Sequence, residues 1–174
     1  MNIIGLNAYH GDSSAALVID GQLIAAAEEE RFRRVKHWAG FPAEAIRYCL
    51  AEAGIGLDRV DHVAVNSDPR ANLLRKIGYT LGRRPDPRLV MDRLRNAQER
   101  ASVSTDLAAA FPEVGFQGQI HHVEHHLCHL ASSFLVSPFE EAVALSVDGF
   151  GDFASAAWGA GRGNALTVEG RGVF

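Results

Sequence analysis

Five of the chain's eight histidines fall within nine residues: His121, His122, His125, His126 and His129. Imidazole ligates metals through a neutral ring nitrogen and titrates near neutrality, so such a cluster points to metal binding or proton transfer. His125 and His129 are four apart, and on a helix they lie one above the other on one face. Two imidazoles so spaced can grip one divalent ion. His122 and His126 have the same spacing, so spacing alone does not select the pair, and histidines on a solvent-facing helix are common. A carboxylate from elsewhere completes a two-histidine, one-carboxylate set, a geometry suited to iron or zinc with positions left open for substrate. Asp148 is the expected third ligand. It ends the apolar run Ala142 to Val147, which reads as a buried strand. Gly149 and Gly151 then let the chain turn tightly. Asp-Gly-x-Gly-Asp after a strand, here Asp148 to Asp152, is a pattern whose backbone N–H groups hold phosphate.

The remaining elements must carry these groups. Residues 2–8 read as a central strand, followed by the polar turn YHGDSS. SAALVID is a second strand, and Gly21 closes a hairpin into a third, QLIAAAEEERF. His10, in the first turn, is a candidate acid or base. Pro42–Ile55 reads as a helix stopped by Gly54, with Ile46, Cys49, Leu50 and Ala53 on one face, which makes Cys49 core. Val60–Val65 is a fourth strand, and the loop Asn66 to Asp68 at its end is where open α/β sheets carry ligands. Leucines from 73 to 94 suggest two helices broken by RRPDP. STDLAAAF adds another helix before a fifth strand, QIHHV. Residues 70–111 are basic but have neither aromatic interleaving nor a single basic helix face, so a solvated cap is expected there rather than a nucleic-acid surface.

At 174 residues the chain is long enough for a sizeable core, and its 47% hydrophobic and 22% charged content is that of an ordinary globular protein. A net charge of −4 speaks against nucleic-acid binding by the whole molecule. No apolar run approaches a membrane span, and Met1 leads directly into a strand pattern. Cys49 and Cys128 fit reduced thiols, so a cytoplasmic location is expected.

Several blocks together resemble a known family: GLNAYHGDSSAALVIDG, AAAEEERFRRVKHWAGFPAEAIRYCL, VEHHLCHLASSF and SPFEEAVALSVDGFGD. They are similar to the amino-terminal part of the O-carbamoyltransferases that act on nodulation factors, aminoglycosides and cephamycins. The resemblance implies an actin-like ATPase (ribonuclease H-like) fold, similar to that of the tRNA threonylcarbamoyladenosine-forming enzymes. It implies that residues 1–137 form one complete subdomain, with 70–111 a helical basic insertion over a nucleotide cleft. Residues 138–174 would be the opening strands of a second subdomain, so the chain reads as a fragment lacking a carboxyl-terminal adenylate-forming domain. The implied reaction uses carbamoyl phosphate and ATP, through carbamoyl-adenylate, to modify a hydroxyl of a sugar or other small natural product. Asp12 is then expected near nucleotide phosphates, with Mg possible beside it, and Gly149, Gly151 and Asp152 on the other side. Lys36 and His37 are expected near the carbamoyl donor. Gly11 separates His10 from Asp12, where the commoner family form has His directly before Asp. GLNAYHGDSSAALVIDG and LSVDGFGDFASAAWGAG read as structural duplicates, with Asp12 and Asp148 at equivalent positions. Alternatives are a non-catalytic actin-like module binding nucleotide or a partner, and tRNA modification of the threonylcarbamoyl type, against which the EERF block and the HGDSSAAL turn argue. The apolar strands of 141–174 are expected to drive self-association of a chain lacking their partners.

Overall fold

The structure, a computed structural model, describes residues 1–68, 103–151 and 154–172. Their contacts form two compact units, one of residues 1–66 and 103–121, the other of residues 67–68 and 122–172. Residues 122–137, expected in the first subdomain, group by their contacts with the second unit.

In the first unit, β1 (Asn2–Asn7), β2 (Ser14–Ile19) and β3 (Gln22–Glu28) form an antiparallel meander. The β2–β3 turn is Asp20-Gly21, with φ of 49° and 83°. Two left-handed residues are what a tight hairpin of this kind requires, and Asp-Gly supplies them cheaply. The third strand ends at Glu28, short of the expected EERF. Residues Glu30–Arg33 instead make a single helical turn, α1. The reason is Glu29, a fully buried carboxylate that accepts a hydrogen bond from Ala45 N–H at 2.9 Å and pairs with Arg33 Nε at 2.6 Å. Reaching those partners takes the chain out of the sheet plane.

Helix α2 (Ala43–Ala53) buries Ile46, Cys49 and Leu50 and ends at Gly54, whose φ of 65° is a left-handed cap. Its face lies on Ile4, Leu6, Leu17, Val63 and Val65, the core side of the sheet. Burial pushes the Cys49 thiol up, which fits a core role. β4 (His62–Val65) runs parallel to β1, and β5 (Gln119–His122) closes the order β3-β2-β1-β4-β5. Helix α3 (Val103–Ala110), the expected STDLAAAF helix, adds Val103 and Leu107 to the same core. The rest of the basic insertion lies outside the described residues.

The second unit is an antiparallel meander of β6 (Glu141–Gly151), β7 (Ala154–Arg162) and β8 (Ala165–Gly172), with α4 (His125–Phe134) on one face. Leu130 and Phe134 of α4 pack on Ala144 and Ala157. At Gly161 the Phe134 ring occupies the space a Cβ would take, so only glycine allows this approach. The expectation that Ala142–Val147 is buried holds on one face only. Ala144 and Ser146 are buried, whereas Val143, Leu145 and Val147 are 79%, 65% and 78% exposed. A continuous apolar run cannot reveal which of its faces will be covered; neighbours decide that. This open face is the surface through which the expected self-association would run.

The register also revises the proposed duplication. The last ladder pair before the first turn is Asn7↔Ser14, and the second ladder is regular as far as Val147↔Ala156. Asp148 follows directly on the β6 ladder, and the residue matching it in the first unit is Ala8. Asp12 lies on the opposite limb of its hairpin, just before β2. The duplication of strands stands, but these two carboxylates are not equivalent.

Candidate functional site

The first group of candidate residues sits on two loops of the first unit, residues 8–13 and 37–41. Asn7, at the end of β1, donates through Nδ2 to the carbonyls of Gly11 and Asp12 at 3.2 and 2.9 Å. Its Oδ1 accepts from Asn66 Nδ2 at 2.9 Å. The two loops are then tied together. Tyr9 N–H donates to Gly40 O at 3.1 Å, and Ser13 N–H to Trp38 O at 3.0 Å. The wholly buried Ser13 hydroxyl lies 2.9 Å from Gly40 O and accepts from Gly40 N–H at 3.1 Å. Tyr9, Asp12 and His37 have φ of 64°, 62° and 54°, a region that side chains other than glycine enter at a cost. Strain concentrated in two clamped loops is a feature of ligand sites.

This clamp brings Asp12 and His37 together, with His37 Nδ1 2.8 Å from Asp12 Oδ1. Lys36 is exposed beside His37, and His10 is half-buried on the facing loop. Three of the four expected catalytic residues therefore lie on this loop pair, and Lys36 directly precedes its second loop. The hydrogen bond to Asp12, and then its charge, raise the His37 pKa. Nuclear magnetic resonance titration of His37 is expected to give a value above the ordinary 6.5 or so, and Asp12→Asn should return it toward that figure. The sign follows: the pair contributes fully below the unfolded histidine value and fades as pH rises through the higher folded one. An unshifted His37, or one indifferent to Asp12→Asn, would remove the contact.

The second group lies in the second unit. Glu124 caps α4, its carboxylate accepting from His126 N–H at 3.3 Å and Leu127 N–H at 2.9 Å. Arg171 of β8 reaches the same carboxylate at 3.3 Å. With the helix start set, His125 and His129 present Nε2 atoms 3.0 Å apart. Asp148 Oδ2 is 2.7 Å from the first and 3.3 Å from the second. These are the three expected metal-ligand residues, and one donor atom of each falls within 4.8 Å of the others. The hydrogen bond with His125, then the Gly149 N–H, bring the Asp148 carboxyl down to about 2. It is therefore anionic at any pH where the imidazoles are neutral and free to ligate.

The donor set fits a metal ion. Donors held about 2.1 Å from one ion at right angles lie about 3.0 Å apart, and tetrahedral ones about 3.4 Å apart. The separations here, 2.7, 3.0 and 3.3 Å, are of this size, and three protein donors leave further positions on one ion open. Gly149 donates its N–H to Asp148 Oδ1 at 2.6 Å, so that N–H serves the carboxylate. Gly151 ends β6, and Asp152 lies outside the described residues.

Asn7, Ser13 and Asn66 hold the first loop pair. Ser146, Glu124, Arg171 and the buried His126 hold the second cluster. The sequence reading named Asn66 for its strand-end loop and His126 as a member of the other histidine pair, and missed the rest. Of those missed, only Glu124 carried a readable signal, a carboxylate directly before a helical pattern.

Comparison with known proteins bears on the whole of this arrangement. Residues 2–171 match the family described as "Carbamoyltransferase N-terminus". The chain is 40% identical over 173 residues to the uncharacterized protein sll1178 of a Synechocystis strain, covering 95% of this chain and 28% of that protein. It is 35% identical over 169 residues to nodulation protein NolNO of Sinorhizobium fredii, covering 92% of this chain and 22% of that protein. The chain thus spans about a quarter of the length of these curated relatives. Among solved structures it resembles YeaZ from Pseudomonas aeruginosa at a TM-score of 0.50 and 16% identity, covering 98% of this chain and 66% of that one. A second structure, a protein with similarity to peptidase YeaZ, gives 0.51 at 18% identity, covering 97% and 63%. That likeness establishes the fold, an α/β fold of the actin-like ATPase type. Both meanders, the clamped first turn and the histidine–aspartate cluster lie within the one stretch matched from residue 2 to 171, and the chain belongs to the carbamoyltransferase N-terminus family.

Proposed function

We propose that this chain is the amino-terminal part of an O-carbamoyltransferase, and that it carries the residues at which the carbamoyl group is transferred. The donor is carbamoyl-adenylate, made from carbamoyl phosphate and ATP by a further domain of the whole protein. The acceptor is a hydroxyl of a small natural product or sugar. The observation that carries the reading is the convergence of His125, His129 and Asp148 in a chain of this family. An iron or zinc ion bound there would supply Lewis acidity to a carbonyl oxygen.

The chain's own residues account for the rest. Asp12, on the clamped first turn, faces the nucleotide phosphates, with Mg as its counterion there. Lys36 and the His37 held by Asp12 face the charge that develops on the leaving phosphate. In the transfer step the acceptor oxygen bonds to the carbamoyl carbon. The bond from that carbon to the adenylate oxygen breaks, AMP leaves with the electron pair, and the hydroxyl proton passes to a base. His10 is the candidate base.

The full-length protein tests this directly. With carbamoyl phosphate and ATP it is expected to form carbamoyl-adenylate and, with a hydroxyl acceptor, to release AMP and a carbamate ester. Asp148→Asn and His10→Ala are each expected to lower transfer by about 100-fold or more, the scale of a lost general base or electrostatic group. Adenylate formation should persist in both variants. Equal loss of the two half-reactions would place these residues outside the transfer step.

A further inference from the structure

We infer that the buried His126–Ser146 pair is the positioning element of the histidine–aspartate cluster: it sets the rotation and advance of α4 against β6, and through them the separations of the three donor atoms. The inference rests on the reading of His125, His129 and Asp148 as metal ligands.

The same helix and the same strand meet at two polar contacts. At the outer one, His125 and His129 of α4 reach Asp148 of β6. At the inner one, two residues back along β6, Ser146 Oγ lies 2.9 Å from His126 Nδ1. His126 is completely buried and Ser146 is 6% exposed. His126 also begins the buried stripe of α4, which continues through Leu130 and Phe134 at four-residue steps. Its ring lies edge-on to that of His125, with centroids 5.4 Å apart. The ligand pair therefore occupies the flank of the helix next to the stripe that His126 heads.

A stripe of aliphatic contacts is not directional, and Leu130 on Ala144 and Ala157 would tolerate a turn of the helix. A metal site would not. Rotating α4 by about 20° carries a nitrogen lying about 6 Å from its axis through about 2 Å, whereas metal–ligand distances are held to about ±0.2 Å. Something directional must fix the rotation. Phe134 over Gly161 fixes the far end. At the near end the register sets Ser146, Ala157 and Arg171 in one row across the sheet. His126 bonds to one end of that row, and Glu124, two residues earlier, to the other. The other ring nitrogen, His126 Nε2, is buried without a hydrogen-bond partner among the described residues. Ser146 is thus the polar anchor of this ring, and removing its hydroxyl would leave both nitrogens unsatisfied.

Metal binding by the full-length protein tests the inference without reference to turnover. Zn²⁺ affinity would be read by competition with a chromophoric chelator, and Co²⁺ coordination by its visible absorption, with folding checked by circular dichroism. Ser146→Ala is expected to weaken Zn²⁺ binding about 10- to 100-fold, the range for groups that orient ligands without touching the ion, and to alter the Co²⁺ spectrum. Ser146→Thr, which keeps the hydroxyl, should bind within about threefold of wild type, well inside that range. Should Ser146→Ala not fold, His126→Asn against His126→Leu decides, because the asparagine amide takes the place of Nδ1 and keeps the bond. Wild-type affinity and an unchanged spectrum in Ser146→Ala, or equal loss in His126→Asn and His126→Leu, would overturn this inference alone. A wild-type protein that takes up neither ion would overturn the ligand reading and this inference with it.

Discussion

Replacing His125 and His129 together by alanine is expected to abolish stoichiometric metal binding, and either single change to weaken it by more than about 100-fold, beyond the effect usual for outer-shell groups. The physical ground is the triangle of donor atoms at 2.7, 3.0 and 3.3 Å. Two imidazole nitrogens and a carboxylate oxygen are mutually repulsive acceptors unless protons or a cation lie between them. Three edges near 3.0 Å match one ion at ordinary bond lengths. Losing one donor leaves a two-point site of the kind any surface histidine pair offers. Metal content after purification without an affinity tag, followed by titration with Fe²⁺ and Zn²⁺, measures the effect. Unchanged metal content in the double variant would reject the assignment. Loss confined to His126→Leu, with His125→Ala and His129→Ala intact, would move the site to the other histidine.

Glu29→Ala is expected to destabilise the first unit by about 2–4 kcal/mol, somewhat under the usual cost of breaking a fully buried pair because Arg33 is partly exposed. The carboxylate accepts from both Ala45 N–H and Arg33 Nε. Ala45 N–H, in the first turn of α2, lacks an intrahelical acceptor and takes this one instead. Arg33 would lose its counter-charge at the edge of the core. The effect reaches the site as well. The Arg33 guanidinium lies 4.4 Å above the Trp38 ring, and the Trp38 carbonyl accepts from Ser13 in the loop that carries Asp12. Glu29 itself donates its N–H to Ser13 O at 2.8 Å. Urea denaturation of the full-length protein should show the shift in midpoint, at unchanged slope, for the transition of this unit. Glu29→Gln keeps an acceptor for Ala45 and should cost about half as much. A Glu29→Ala variant within about 0.5 kcal/mol of wild type, the range of ordinary surface changes, would show that the buried pair is dispensable.

The two predictions differ in how far the sequence alone led to them. Residue spacing put His125 and His129, like His122 and His126, on one helix face, because a helix repeats every 3.6 residues. Asp148 could be named because an apolar run followed by Asp-Gly marks the end of a strand. The hairpin at Asp20-Gly21, helix α2 with its glycine stop, and the five-strand content of the first sheet were equally local. Each is a pattern of side-chain preference within about a dozen residues. Family resemblance added the fold and the carbamoyltransferase reading through whole blocks of residues.

What tertiary structure decided was partnership across distance and the choice between faces. EEERF reads as a charged strand end, yet Glu29 is drawn into the core by an N–H sixteen residues away, and no local period records that. Asp12 and Asp148 match by motif, but strand register puts them on opposite limbs of their turns, because register is set by pairing between strands rather than by either strand alone. Ala142 to Val147 is apolar on both faces, and only the position of α4 determines that Ser146 meets His126 while Val143 and Val147 stay exposed. Composition fixes how much apolar surface a chain must hide, and periodicity fixes which side chains share a face. The partner that covers that face comes from elsewhere in the chain, and so does the hydroxyl that holds His126.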